Sequence, residues 1–139
     1  KVMQPPPGGL TPTLTAVRDA LETRTGVWYD SVLVNYYEHG KVGMFWHQDP
    51  LHDGMWEETT AVVSVGAPRT FALRCADDFT QRWEYRVCNG DTVTMLEGCQ
   101  QTFQHSVKVE REAENAGPRI SLVFKRLARP PDAASTRTK

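Results

Sequence analysis

The sequence predicts a mainly β fold, a double-sheet jelly roll (double-stranded β-helix) with one or two covering N-terminal helices. Three observations predict it. From residue 27 onward the chain breaks into short β-rich runs whose apolar residues alternate with period two, separated by turn residues. Eight such runs in succession suit a closed or nearly closed pair of sheets. Finally, 139 residues with 40% hydrophobic content can bury one core and are too few for two ordinary domains.

Taken in order, residues 1–10 form an irregular lead-in, because Pro5-Pro6-Pro7-Gly8-Gly9 can neither start a helix nor join a central strand. Thr11-Pro12 reads as an N-cap with proline at the first helical position. Leu14, Val17 and Leu21 then share one helical face, and Gly26 supplies the stop. The expected strands are 31–37, 42–47, 60–66, 69–75, 82–88, 91–96, 102–108 and 118–126. Residues 130–139, with Pro130-Pro131, small residues and mixed charge, read as a disordered tail. Residues 11–129 are thus expected to be a single catalytic domain, and a monomer.

The charge balance, 16 basic against 17 acidic residues, gives no overall field to attract nucleic acid or an anionic membrane, though a local basic rim would be enough to track phosphates. No apolar run is long enough to span a bilayer. Cys75, Cys88 and Cys99 are odd in number and lack zinc-ribbon spacing, so they read as reduced thiols. Those features point to a protein of a reducing intracellular compartment, nucleus or cytoplasm.

The first chemical signal is an HxD pair in Phe45-Trp46-His47-Gln48-Asp49. Positions i and i+2 of a strand point the same way, so imidazole and carboxylate can converge on one ion. Alone the pair is a weak signal. Downstream, His105 in Phe103-Gln104-His105-Ser106-Val107 offers a second imidazole in a strand-like segment. Two nitrogens and one carboxylate oxygen make the facial triad of non-haem iron(II) oxygenases, which leaves positions open for dioxygen and a co-substrate. His39 and His52 fall in turns and read as solvated loop histidines.

In Pro118-Arg119-Ile120-Ser121-Leu122-Val123-Phe124-Lys125-Arg126, Ile120, Leu122 and Phe124 form an apolar face. Arg119, Ser121, Val123 and Lys125 form the other, which can line a cavity. A guanidinium there can grip a carboxylate through two parallel hydrogen bonds, as the distal carboxylate of 2-oxoglutarate requires. Asn35 and Tyr37 share a face of the 31–37 strand and can assist by hydrogen bonding.

These segments, in this order, resemble the AlkB family of iron(II) and 2-oxoglutarate dioxygenases. The elements are Asn35-Tyr36-Tyr37 with Gly40, Trp46-His47-Gln48-Asp49, Val63-Ser64-Val65-Gly66 and Arg69-Thr70-Phe71-Ala72-Leu73-Arg74. Gly90-Asp91, Met95-Leu96-Glu97-Gly98, Gln104-His105-Ser106-Val107 and Pro118 to Lys125 follow, so the resemblance spans Asp30 to Arg126. The stretch from Gly40 to Asp49 also looks like the obesity-associated RNA demethylase branch.

The resemblance implies that His47, Asp49 and His105 ligate Fe(II). It implies that Arg119 anchors 2-oxoglutarate, with Asn35, Tyr37, Ser121 and Lys125 around it. It further implies hydroxylation of N-methyl groups on nucleobases of methylated DNA or RNA, single-stranded or with the base flipped out. Two departures stand out. Lys125 occupies the place of a family arginine and lacks its planar fork. The Pro50-Leu51-His52-Asp53-Gly54-Met55-Trp56 loop lacks the acidic residues that many repair members carry directly after the aspartate. Trp46, Trp56 and Trp83 are candidates for stacking on a base, with Arg74, Arg82, Arg86 and Lys108 for phosphate. The alternatives are a hydroxylase of a protein, lipid or small metabolite, and a non-catalytic reader of modified bases, which would not need open iron positions.

Overall fold

Local signals set the ends of the one long helix, α1 (Pro12–Thr25), in a computed structural model that describes residues 8–110 and 117–128. The Thr11 hydroxyl accepts from the Leu14 N–H at 3.3 Å. Gly26 takes the left-handed conformation (φ 70°) and sends its N–H to Glu22 O at 2.8 Å. Leu21, with Leu14 and Val17 beside it, seats α1 on Tyr29, Ala61, Val63, Leu122 and Phe124.

The strands follow as β1 (Ser31–Tyr37), β2 (Met44–His47), β3 (Trp56–Gly66), β4 (Arg69–Cys75), β5 (Arg82–Val87), β6 (Thr92–Met95), β7 (Phe103–Val107) and β8 (Arg119–Leu127). They form two four-stranded sheets, ordered β1-β8-β3-β6 and β2-β7-β4-β5, with every pairing antiparallel. This is the expected jelly roll, with one N-terminal helix among the described residues as cover.

The apolar runs of β3 and β8 are explained by what lies on each side. Ala61, Val63, Leu122 and Phe124 face α1, whereas Val62 and Val123 point between the sheets, where they meet Tyr37, Phe71, Val87, Met95 and Val107. A strand buried on both faces needs apolar residues at successive positions, and each buried side chain of this kind contributes about 1.5–3 kcal/mol. The polar members of β8, Arg119 and Ser121, share the inward face with Val123 and are themselves buried.

Two departures from the sequence expectation bear on the site. β3 begins at Trp56 rather than 60, with an irregularity between Trp56 and Thr60. Its first residues are held by pairing of Trp56 with Leu127, by Ala128 N–H on Met55 O (2.9 Å) and by a Glu57–Arg126 ion pair (3.2 Å). Charged Glu57 and Glu58 conceal that extension from a period-two pattern. A one-turn helix, α2 (Cys99–Thr102), precedes β7 where strand was expected at 102. It is fixed by Glu58, whose carboxylate accepts from Gly98 N–H and Gln101 Nε2, both at 2.5 Å. Of the lead-in, only residues 8–10 are described, and the 130–139 tail lies outside the described residues. All three cysteines are free, and no described helix is long and apolar enough to cross a membrane.

Candidate metal centre

A β-bulge builds the first half of the site. Met44 pairs with Val107 and His47 with His105, so three steps along β2 answer two along β7. The extra residue lets Met44 and His47 both line the interior despite their odd spacing, and it leaves Phe45 93% exposed. The Phe45 carbonyl lies 2.8 Å from His47 Nδ1. A carbonyl only accepts, so Nδ1 carries a proton there, and Nε2 is the nitrogen positioned to face a metal.

Asp49 stands two residues beyond the end of β2, off the strand on which its i+2 relation to His47 was argued. What aims it is long-range. Its backbone N–H donates to Oε1 of Gln100 in α2 (2.8 Å), and its Oδ1 lies 3.5 Å from both His47 Nε2 and His105 Nε2. His105 is buried in the middle of its strand, stacked on Phe71 at 5.7 Å and 4.1 Å from the His47 ring. The ligand atoms of the three residues lie within 4.8 Å of one another. Two imidazole nitrogens and one carboxylate oxygen converging this closely fit an iron(II) ion.

On its other oxygen, Oδ2, Asp49 meets the Lys125 ammonium at 2.8 Å. Burial pushes the Asp49 carboxyl upward, but hydrogen bonds from His105 and His47 and the Lys125 charge outweigh it and hold the group well below the usual carboxylate range. The hydrogen bond to Asp49 raises His47, burial opposes it, and the Phe45 carbonyl adds to the rise.

These residues open on a cavity of about 320 Å³. Asn35, Tyr37, Ser121 and Lys125 line it from the opposite sheet, and His52 and Trp56 from the segment after Asp49. Arg119 sits behind Tyr37, 1% exposed, with its guanidinium 5.0 Å from the Tyr37 ring centre. One nitrogen donates to the Ser64 hydroxyl at 2.9 Å, while Nε and NH1 have no hydrogen-bond partner among the described residues. A buried guanidinium with two donors unmet fits a carboxylate-bearing co-substrate such as 2-oxoglutarate.

Of the residues expected to bind metal or co-substrate, His47, Asp49, His105, Asn35, Tyr37, Ser121 and Lys125 line this cavity, whereas Arg119 lies behind Tyr37 and outside its lining. The tentative substrate contacts separate. Trp56 lines the cavity, but Arg74 is stacked against Trp46 (4.5 Å) and Phe79 (3.8 Å) and bonded twice to Gln104 Oε1, away from the cavity lining. Trp83 packs edge-on against Phe103 and is 43% exposed. Glu84 holds Lys108 and Glu110 holds Arg86, so both cations are engaged. Sequence reasoning missed Gln100 and Ser64, polar residues whose roles depend on partners 51 and 55 positions away. It also passed over His52 as a loop residue, although that loop folds against the cavity mouth.

Comparison with known proteins agrees with this geometry. The chain belongs to the 2OG-Fe(II) oxygenase superfamily, whose family model matches residues 2–125. It is 32% identical over 127 residues to an uncharacterized protein of Acanthamoeba polyphaga mimivirus, covering 91% of this chain and 64% of that protein. It is 28% identical over 131 residues to the Homo sapiens alpha-ketoglutarate-dependent dioxygenase alkB homolog 3, covering 88% of this chain and 45% of that one. A Bos taurus DNA oxidative demethylase, ALKBH2, is 28% identical over 123 residues, covering 84% and 44%. The solved structure of OsALKBH1 superposes with a TM-score of 0.59 at 20% identity over 86% of this chain and 67% of that one, which establishes the shared fold. The resemblance to the AlkB family read from the motifs is borne out by these relatives. The chain spans less than two thirds of the length of each of these curated relatives.

Proposed function

We propose that this chain is the catalytic core of an AlkB-type dioxygenase that removes N-methyl groups oxidatively from nucleobases of single-stranded DNA or RNA, or from a flipped-out base. The observation that carries this reading is the meeting of His47, Asp49 and His105 in one cavity that is backed by the partly unpaired guanidinium of Arg119. His47, Asp49 and His105 would hold Fe(II), and Arg119 the distal carboxylate of 2-oxoglutarate, with Asn35, Tyr37, Ser121 and Lys125 around it. Iron(II) held there would, with 2-oxoglutarate and dioxygen, supply the oxidant for methyl hydroxylation, one oxygen atom going to succinate as carbon dioxide is lost and the other to the methyl carbon, which would then leave the base as formaldehyde.

The protein's own contributions are positional. The Phe45 carbonyl fixes the His47 tautomer, Gln100 fixes the Asp49 backbone, and Lys125 occupies Asp49 Oδ2 so that Oδ1 faces the two imidazoles. The apolar walls, Leu33, Val62 and Val123 among them, limit water around the reacting centre. Trp56 offers a ring on which a base can stack at the mouth. We take residues 11–129 as one catalytic domain acting as a monomer in a compartment that keeps its thiols reduced.

The test is incubation with Fe(II), 2-oxoglutarate and methylated oligonucleotides, reading succinate together with the mass of the oligonucleotide. Loss of a methyl mass from the oligonucleotide with matching succinate, both absent in His47→Ala, is the expected result. Succinate formed without loss of methyl from any DNA or RNA oligonucleotide would leave an oxygenase of another substrate class.

A further inference from the structure

The two largest fully buried side chains are both arginines, Arg69 at 0% and Arg119 at 1% exposure. They enter the same end of the interior from opposite sheets. Arg119 opens β8, in register with Tyr37 and Gly66. Arg69 opens β4, in register with the core residue Val87 and on the same face as Phe71. The turn between Gly66 and Arg69 closes this end, with Ala67 N–H donating to Pro118 O at 2.9 Å.

Neither guanidinium makes an ion pair among the described residues. Arg69 donates only to neutral acceptors, the carbonyls of Pro68 and Gly117, each at 3.0 Å, and its Nε has no partner. Arg119 donates to the Ser64 hydroxyl and has the Tyr37 hydroxyl beside it, with Nε and NH1 unmet among the described residues. Burial pushes the Arg119 pKa down, the Tyr37 hydroxyl opposes that, and the Arg69 charge adds to the lowering. Burial pushes the Arg69 pKa down as well, and the Glu110 charge opposes that only in part, with the Arg86 charge adding to the lowering. Two carbonyls and two hydroxyls do not neutralise a pair of buried, mutually repelling guanidinium groups.

We propose that Arg69 is the second cation of the co-substrate site, so that Arg69 and Arg119 together receive one carboxylate of a dicarboxylate before any metal is bound. This rests on the assignment of Arg119 as the anchor of 2-oxoglutarate and adds to it a residue beyond those read from the sequence. The anion lowers the repulsion between the guanidinium groups and satisfies donors from both sheets at once, which makes its binding a stabilising event for the metal-free protein.

The experiment uses metal-free protein in chelator, titrated with glutarate and with 2-oxoglutarate, against butyrate at equal ionic strength. Melting temperature and calorimetric affinity are the readouts. Glutarate and 2-oxoglutarate are expected to raise Tm and butyrate to leave it nearly unchanged. Arg69→Gln keeps a polar side chain without the charge, and is expected to weaken glutarate binding at least tenfold. Arg69→Lys retains the charge and is expected to keep most of the affinity. Equal glutarate affinity in Arg69→Gln and the native chain would overturn the proposal, as would the absence of any metal-free response to either dicarboxylate. Because neither iron nor a methylated base enters this measurement, its outcome is independent of whether the protein demethylates nucleic acid.

Discussion

Lys125 shows how one atom-level contact does two jobs. Its ammonium is the cationic partner of a carboxylate that is only 11% exposed, and it leaves the other carboxylate oxygen facing the imidazoles. Lys125→Met removes the partner from a largely buried charge, so the metal-free protein should lose about 1–3 kcal/mol in urea unfolding, whereas Lys125→Arg should lose less. Tyr29 offers a separate test on the far side of the major sheet. It has 0% exposure, and burial pushes its pKa above the usual 10.0. The folded state therefore keeps its proton where the unfolded chain has released it. Stability must fall as pH rises from about 10 through the folded value, and is unaffected by this group below that. Tyr29→Phe should flatten the alkaline limb of a Tm-against-pH curve, and an unchanged slope would refute the cause given.

At the level of elements, the turn that carries β3 into β4 depends on a residue without a side chain. Gly66 has φ 93°, and a Cβ there would stand 2.5 Å from the Pro118 carbonyl oxygen, directly before Arg119. Gly66→Ala should cost about 1–3 kcal/mol of stability and, because the displaced backbone carries Arg119, should weaken 2-oxoglutarate binding beyond that loss. Calorimetry at a temperature where the variant is fully folded separates the two effects. Legibility in the sequence follows the same division between near and far. Thr11, Pro12 and Gly26 announced the helix because caps are local, and the alternation of Ile120, Leu122 and Phe124 announced two faces of β8. His47, His105 and Arg119 were singled out because their chemistry is unusual for strands, and Asp49 for its spacing from His47, although it lies beyond the end of β2. The bulge at Phe45, the Gln100 contact and the start of β3 at Trp56 were not, since each is set by a partner strand or turn far along the chain. Arg69 stood within a quoted motif, yet nothing nearby in the sequence marks it as fully buried.

For the molecule as a whole, the site is divided between the sheets. His47 and His105 belong to β2 and β7, whereas Arg119 and Lys125 belong to β8 of the other sheet. Adding Mn(II) and 2-oxoglutarate together should therefore raise Tm by more than the sum of each alone, and His105→Ala or Arg119→Met should abolish that excess. The separation of duties has a mechanical corollary. On the proposed assignment, a diacid whose one tip meets Arg119 of β8, with Arg69 of the facing sheet beside it, and whose other tip meets an ion between His47 and His105 would act as a strut, setting how far apart the walls stand. Amide exchange in β7 and β8 should slow in concert when the strut is in place, and loosening of either wall by a remote core substitution should register as poorer co-substrate retention before any change in the iron ligands themselves.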